Sequence, residues 1–116
     1  MRRVLIADDS ASNRELLRTM LVHEGWTVEE ARDGLTAVEI ATVRPPDLIL
    51  LDIQMPGLDG YETLGRLRAV PALAGVRIFA VTASAMEGDE QRGLAAGFTG
   101  YLTKPLTRRM LLAALS

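Results

Sequence analysis

Four short apolar runs along the chain each lead into a chemically active side chain, and helix-like segments separate them. Residues 4–7 run into Asp8-Asp9, residues 48–51 into Asp52 and residues 78–81 into Thr82, while Tyr101-Leu102 stands just ahead of Lys104-Pro105. Strand-like runs alternating with helical spacing are the pattern of a parallel sheet flanked by helices, and five β-α units are predicted. The first strand covers residues 3–8. The helix after it is predicted to open at Ser12, because Ser12-Asn13-Arg14-Glu15 reads as a capping box. Its apolar stripe is Leu16, Leu17, Met20 and Leu21, and Gly25 closes it. Residues 27–31 alternate in polarity, so they belong at a half-exposed sheet edge. Asp33 is expected to cap a second helix bearing Ala37, Val38, Ile40 and Ala41, which Pro45-Pro46 ends.

Residues 47–51 form the most uniformly apolar strand, which places it centrally with both faces buried and leaves Asp52 at the rim. The turn-rich loop Ile53-Gln54-Met55-Pro56-Gly57-Leu58-Asp59-Gly60 leads into a helix over residues 61–70 with Leu64 and Leu67 inward. Strands follow over 77–82 and 100–103, and a last helix over 107–115. Between those two strands a helix over 86–96 is interrupted by Gly88 and Gly93 and stopped at Gly97. An interior Gly costs a helix about 1 kcal/mol relative to Ala, so this fourth helix is expected to be the least stable. Trp26, Met55 and Met86 read as packing residues at loop edges.

Length and composition narrow the function classes. The 116 residues suit one domain over 1–116, with 48% apolar and 24% charged residues and no apolar run near the roughly 20 residues that span a bilayer. A net charge of −2 gives no general attraction to nucleic acid or to an anionic membrane. Neither is expected as a direct partner. The absence of cysteine and of a signal-peptide core leads to an expectation of cytoplasmic residence. Of the thirteen cationic residues only Lys104 is a lysine.

Parallel strands would collect all of these terminal groups on one carboxyl edge, where open α/β sheets place their chemistry. Asp8, Asp9 and Asp52 would repel one another unless a cation relieved them. Magnesium takes oxygen ligands and usually completes its shell with water and phosphate oxygens. The ammonium of Lys104 and the hydroxyl of Thr82 suit the oxygens of a phosphoryl group. A carboxylate in that setting can act as nucleophile toward phosphorus. Asp52, alone after the most buried strand, is the candidate, and such a transfer needs no histidine. His23 reads as solvated.

Asp8-Asp9, Asp52, the loop from Met55 to Gly60, Thr82-Ala83 and Lys104-Pro105 resemble, in order and spacing, the motifs of the receiver domain of two-component response regulators, across the whole chain. The resemblance implies a doubly wound (βα)5 α/β domain of flavodoxin-like topology, with a five-stranded parallel sheet in the order 2-1-3-4-5. It implies that Asp52 accepts phosphoryl from a histidine kinase or histidine phosphotransfer protein, as a signalling phosphoacceptor and not an enzyme acting on other molecules. It further implies that Asp9, Asp52 and the backbone carbonyl of Gln54 hold Mg2+, with Asp8 acting largely through water. Thr82 and Lys104 would contact the phosphoryl oxygens, the Lys104-Pro105 bond would be cis, and Tyr101 would be an aromatic switch coupled to Thr82. The face of the fourth helix, fifth strand and fifth helix would meet a downstream protein or a second copy of the chain. Gln54 and Ser84 occupy positions that tune phosphoryl lifetime in that family.

Three other readings compete. A magnesium-dependent aspartyl-phosphate hydrolase of the haloacid dehalogenase type needs a second acid two residues after its nucleophile, whereas Asp8 is followed by Asp9-Ser10 and Asp52 by Ile53-Gln54. A flavodoxin-like flavin binder would carry a hydroxyl- and glycine-rich loop after its first strand, where this chain has two acids. A docking module that takes no phosphate would not need the full set of site residues. Tyr101 as packed core and Thr82 as an ordinary β-branched strand residue remain the simpler readings of those two positions.

Overall fold

The computed structural model describes residues 2–83 and 88–115. Its elements, in chain order, are β1 (Arg3–Ala7), α1 (Ala11–His23), β2 (Thr27–Ala31), α2 (Gly34–Val43), β3 (Leu48–Asp52), α3 (Gly60–Arg68), β4 (Arg77–Thr82), α4 (Asp89–Ala96), β5 (Gly100–Thr103) and α5 (Arg108–Leu115). The strands pair in parallel in the order β2-β1-β3-β4-β5, as the family resemblance implies.

Alternate residues of the central strands feed two separate cores. Val4, Ile6, Leu48 and Leu50 join Leu17, Leu21, Trp26, Leu111 and Leu115 beneath α1 and α5. Leu5, Ala7, Ile49 and Leu51 join Ala37, Ala41, Leu64, Leu67 and Phe98 on the opposite face. Leu48 to Leu51 are at most 1% exposed, and burying each of these side chains contributes roughly 1.5–3 kcal/mol. Asp52 therefore extends from the most firmly held strand of the sheet.

The helix starts follow from local polar groups, with two corrections to the expected pattern. The N-cap of α1 is Ser10 and not Ser12: the Asp8 carboxylate accepts the Ser10 N–H at 2.8 Å, and Ser10 Oγ in turn accepts from the Asn13 N–H. That turn closes immediately after β1, so the helix begins two residues early and Ser12 lies exposed in its first turn. Leu16, expected in the buried stripe, is 53% exposed, since α1 seats on the sheet through Leu17 and Leu21, with Leu16 at the margin of that face. Asp33 and Asp59 cap α2 and α3 through the Thr36 and Glu62 N–H groups.

In α4 the second correction concerns glycine. Gly88 is not interior; it is the N-cap, at φ 89°, a left-handed conformation that glycine adopts without penalty. The predicted start of this helix at Met86, and Ser84, lie outside the described residues. Gly93 alone is interior, buried against the ring of Tyr101.

Candidate functional site

Because all five strands run the same way, Asp8, Asp52, Thr82 and Lys104 emerge at one edge. Asp8 continues β1 with its N–H on the Ala31 carbonyl at 3.0 Å, and the Lys104 N–H continues β5 by donating to the Thr82 carbonyl at 2.7 Å. β1 and β3 are sheet neighbours although the chain passes through β2 between them, so the connections leave toward opposite faces at that point. A crevice at such a switch point is where open α/β sheets bind ligands.

Lys104 Nζ donates to Asp8 Oδ2 at 3.0 Å and to Asp52 Oδ2 at 3.4 Å. Asp9 joins these two acids, and one oxygen from each lies within 4.8 Å of the others. Asp8, Asp52 and Thr82 are buried, whereas Asp9 is exposed. The second oxygen of Asp52 accepts the Gln54 N–H at 3.1 Å. The loop after Asp52 is cinched where the Gly60 N–H donates to the Ile53 carbonyl at 2.8 Å. A Cβ at Gly60 would stand 2.5 Å from Ile53 Cα and 2.8 Å from the Asp52 carbonyl oxygen, so only glycine lets α3 start this close to the site.

The electrostatics follow from burial and from the like charges. Burial pushes the Asp52 carboxyl above its ordinary range and the neighbouring Asp8 charge adds to this, while Lys104 opposes it. For Lys104 burial acts to lower its pKa, but the hydrogen bonds and charges of Asp8 and Asp52 together outweigh it and hold it raised. The ammonium thus stays charged between two carboxylates of which one is reluctant to ionise. Further positive charge would favour the ionised, nucleophilic form of Asp52.

Three carboxylates converging, with no histidine or cysteine in the group among the described residues, suit a hard, oxygen-seeking dication such as Mg2+. The donor set fits the ion.

Tyr101 is half-buried, its hydroxyl facing the Thr82 side chain. It borders a small cleft with Thr82, Gln54, Tyr61, Asp89 and Arg92, and the Arg92 guanidinium lies 4.6 Å from the Tyr61 ring centroid. Burial and the Asp89 charge raise the Tyr101 phenol. The Lys104-Pro105 bond is cis. Pro105 and Leu106 form an apolar groove of about 250 Å3 with Leu16, Leu17 and Val81, reaching Lys104. His23 is exposed on α1, and Trp26 and Met55 are buried.

The sequence motifs bring out the acids, Thr82 and Lys104 but leave several supports unmarked. Ser10 and Arg14 act through contacts to backbone and neither ends an apolar run, while the motif loop that closes at Gly60 marks a turn but not this residue's approach to Ile53 and Asp52. For Gly93 a signal exists in its interior helical position, since glycine there needs a packing reason.

A family model described as the response regulator receiver domain matches residues 4–116. The response regulator PleD of Caulobacter vibrioides is 39% identical over 111 residues, covering 96% of this chain but only 24% of PleD. The chain therefore spans about a quarter of that relative's length. Among solved structures, the chemotaxis protein CheY4 of Vibrio cholerae superposes with a TM-score of 0.93 at 34% identity, covering 99% of this chain and 96% of that one. The receiver domain of a sensor histidine kinase from Pseudomonas aeruginosa PAO1 does so with a TM-score of 0.90 at 36% identity, covering 98% and 93%, and holds a magnesium ion in its active-site cleft. Among the described residues no helix is long and apolar enough to cross a membrane.

Proposed function

The chain belongs to the family of response regulator receiver domains, phosphoacceptors of two-component signalling, and on that premise we propose that Asp52 takes a phosphoryl group from a histidine kinase or histidine phosphotransfer protein. The observation that carries this reading is the bridging position of Lys104 Nζ, in reach of both Asp8 and Asp52 with Asp9 beside them. An oxygen of Asp52 attacks phosphorus as the bond from phosphorus to the donor imidazole breaks, and the imidazole leaves neutral after taking a proton. Mg2+, when bound by Asp9, Asp52 and the Gln54 carbonyl, with Asp8 acting through water, supplies positive charge that offsets the charge on the phosphoryl oxygens.

The chain's own groups position and neutralise. Lys104 gives up one carboxylate hydrogen bond to pair with a phosphoryl oxygen, a charge-assisted contact stronger than a neutral one. The Gln54 N–H keeps Asp52 oriented through the oxygen not used in attack. The Thr82 hydroxyl turns from Tyr101 to a second phosphoryl oxygen, which frees the Tyr101 hydroxyl and shifts an existing equilibrium of α4 and β5. The face of α4, β5 and α5 then presents a changed surface to a downstream protein or to a second copy of the chain. The domain taken to act in this way is residues 1–116, and Pro105 lines the groove that reaches Lys104.

The test is incubation with acetyl phosphate and MgCl2, read by intact mass. One phosphoryl group should be gained by the wild type, and none by Asp52→Asn or in excess chelator. A gain that persists in Asp52→Asn overturns the assignment, and steady turnover of many phosphomonoesters favours a hydrolase.

A further inference from the structure

Asp9 is the least supported member of the acidic group. Among the described residues its carboxylate accepts no hydrogen bond, and it is exposed. Its direction is therefore set by the backbone that carries it, above all by the peptide joining Asp8 to Asp9. The carbonyl of that peptide has left the sheet, and Arg14 Nη1 on the first turns of α1 donates to it at 2.6 Å. The Arg14 side chain, 17% exposed, is itself held from the other side, with Nε on Glu30 Oε1 of β2 at 3.1 Å. Glu30 Oε2 accepts from Arg18 at 3.1 Å.

We infer that Arg14 is a positioning residue for the cation site: clamped by Glu30, it locks the peptide between Asp8 and Asp9 and so aims Asp9 at the cleft. The inference rests on the reading of Asp9 as a Mg2+ ligand. Three segments meet in this clamp, since β2 supplies the carboxylate, α1 the guanidinium and the residue just after β1 the carbonyl. A guanidinium serves because its planar fork donates to two acceptors in fixed directions at once, which a single ammonium on a flexible stem does not reproduce. Glu30, which Arg18 also shares, offsets part of the charge of Arg14 and so lessens its repulsion of a dication nearby. Removal of groups that orient metal ligands typically weakens metal binding 10–100-fold, and a clamp acting through one peptide belongs at the lower end.

The test is calorimetric titration of MgCl2 into the folded wild type, Arg14→Met, Arg14→Lys and Arg18→Met. Arg14→Met should bind about tenfold more weakly. Arg14→Lys, which keeps the charge but not the fork, should also be weakened. Arg18→Met, which removes a charge from the same glutamate without touching Asp8, should stay near the wild type. Phosphorylation of Arg14→Met by acetyl phosphate should return to near the wild-type rate at saturating Mg2+, the split expected of a positioning role. Unchanged Mg2+ affinity in folded Arg14→Met overturns the inference while leaving the metal reading intact. Should Arg14→Met not fold by circular dichroism, Arg14→Lys and Glu30→Gln decide in the same way, with unchanged affinity in both overturning it. A wild type that binds no Mg2+ overturns the metal reading and the inference with it.

Discussion

Gly93→Ala tests whether the space beneath Tyr101 governs the coupling between α4 and Thr82. A methyl added at Gly93 would stand 2.8 Å from Tyr101 Cδ2 and 3.1 Å from Cε2. Carbon atoms in favourable contact sit about 3.5–4.0 Å apart, so the ring must retreat by at least about 0.7 Å. It has room to turn because Tyr101 is only half-buried, but a turn of that size draws its hydroxyl away from Thr82. Two opposing magnitudes then decide the stability. Alanine inside a helix is worth about 1 kcal/mol over glycine, while the loss of the polar contact between the Tyr101 hydroxyl and Thr82 costs about 0.5–1.5 kcal/mol and an off-rotamer ring about as much again. The net is a loss of about 1 kcal/mol. The phenol gives a second and more direct readout. Burial is the largest cause of its raised pKa, so an outward ring should titrate closer to an ordinary tyrosine, even though the loss of the Thr82 contact acts in the opposite direction. Absorbance titration of the tyrosines, with Tyr101→Phe identifying the Tyr101 component, reads this shift, and urea denaturation reads the stability. A gain of the full helix-propensity increment with an unshifted phenol would show that the ring does not occupy this space, and the reasoning fails.

Three further outcomes follow from the site. Asp52 has a folded-state pKa above its unfolded one, so its proton is held more tightly in the fold; its favourable contribution is complete below the unfolded pKa and is lost as pH rises through the raised one. Asp52→Asn should accordingly gain stability over the wild type in Mg2+-free buffer as pH rises from the acid range to neutrality, and a gain independent of pH in urea titrations would refute the assignment. Lys104→Met leaves Asp8 and Asp52 facing each other without their shared cation; it should cost about 1–3 kcal/mol, with MgCl2 recovering part of the urea midpoint. Gly60→Ala forces a methyl against the backbone of Ile53 and Asp52, which unlike a side-chain tip does not yield; a loss of about 1–3 kcal/mol and slower phosphorylation by acetyl phosphate should appear together in melting and mass measurements.

The strand pattern of this chain carries its architecture, because a parallel sheet imposes one rule: every strand ends at the same edge. Once residues 4–7, 48–51, 78–81 and 101–102 are read as strands, Asp8, Asp52, Thr82 and Lys104 all lie on that edge, and the order β1-β3-β4-β5 brings them within reach of one another. The all-apolar run before Asp52 likewise marks that strand as central, and β3 has a sheet neighbour on each side. Where the pattern misled, two nearby cap candidates competed and a neighbouring side chain settled the choice. Ser12 and Ser10 are comparable caps by composition, and the carboxylate of Asp8 decides for Ser10 by turning the chain early. Leu16 fits a helical stripe, yet the helix packs through Leu17 and Leu21 and leaves Leu16 at the margin, outward.

The chain alone thus determined which groups gather at the rim, since periodicity and strand direction are local properties that every residue reports. Only the folded molecule decided how those groups are held: the grip of Arg14 and Glu30 on the Asp8 carbonyl, the approach of Gly60 to β3, and the seat of Tyr101 on Gly93. Each of these joins residues from different elements at a separation of a few ångströms. No spacing along the sequence encodes such a distance, because it depends on how helices settle on the sheet.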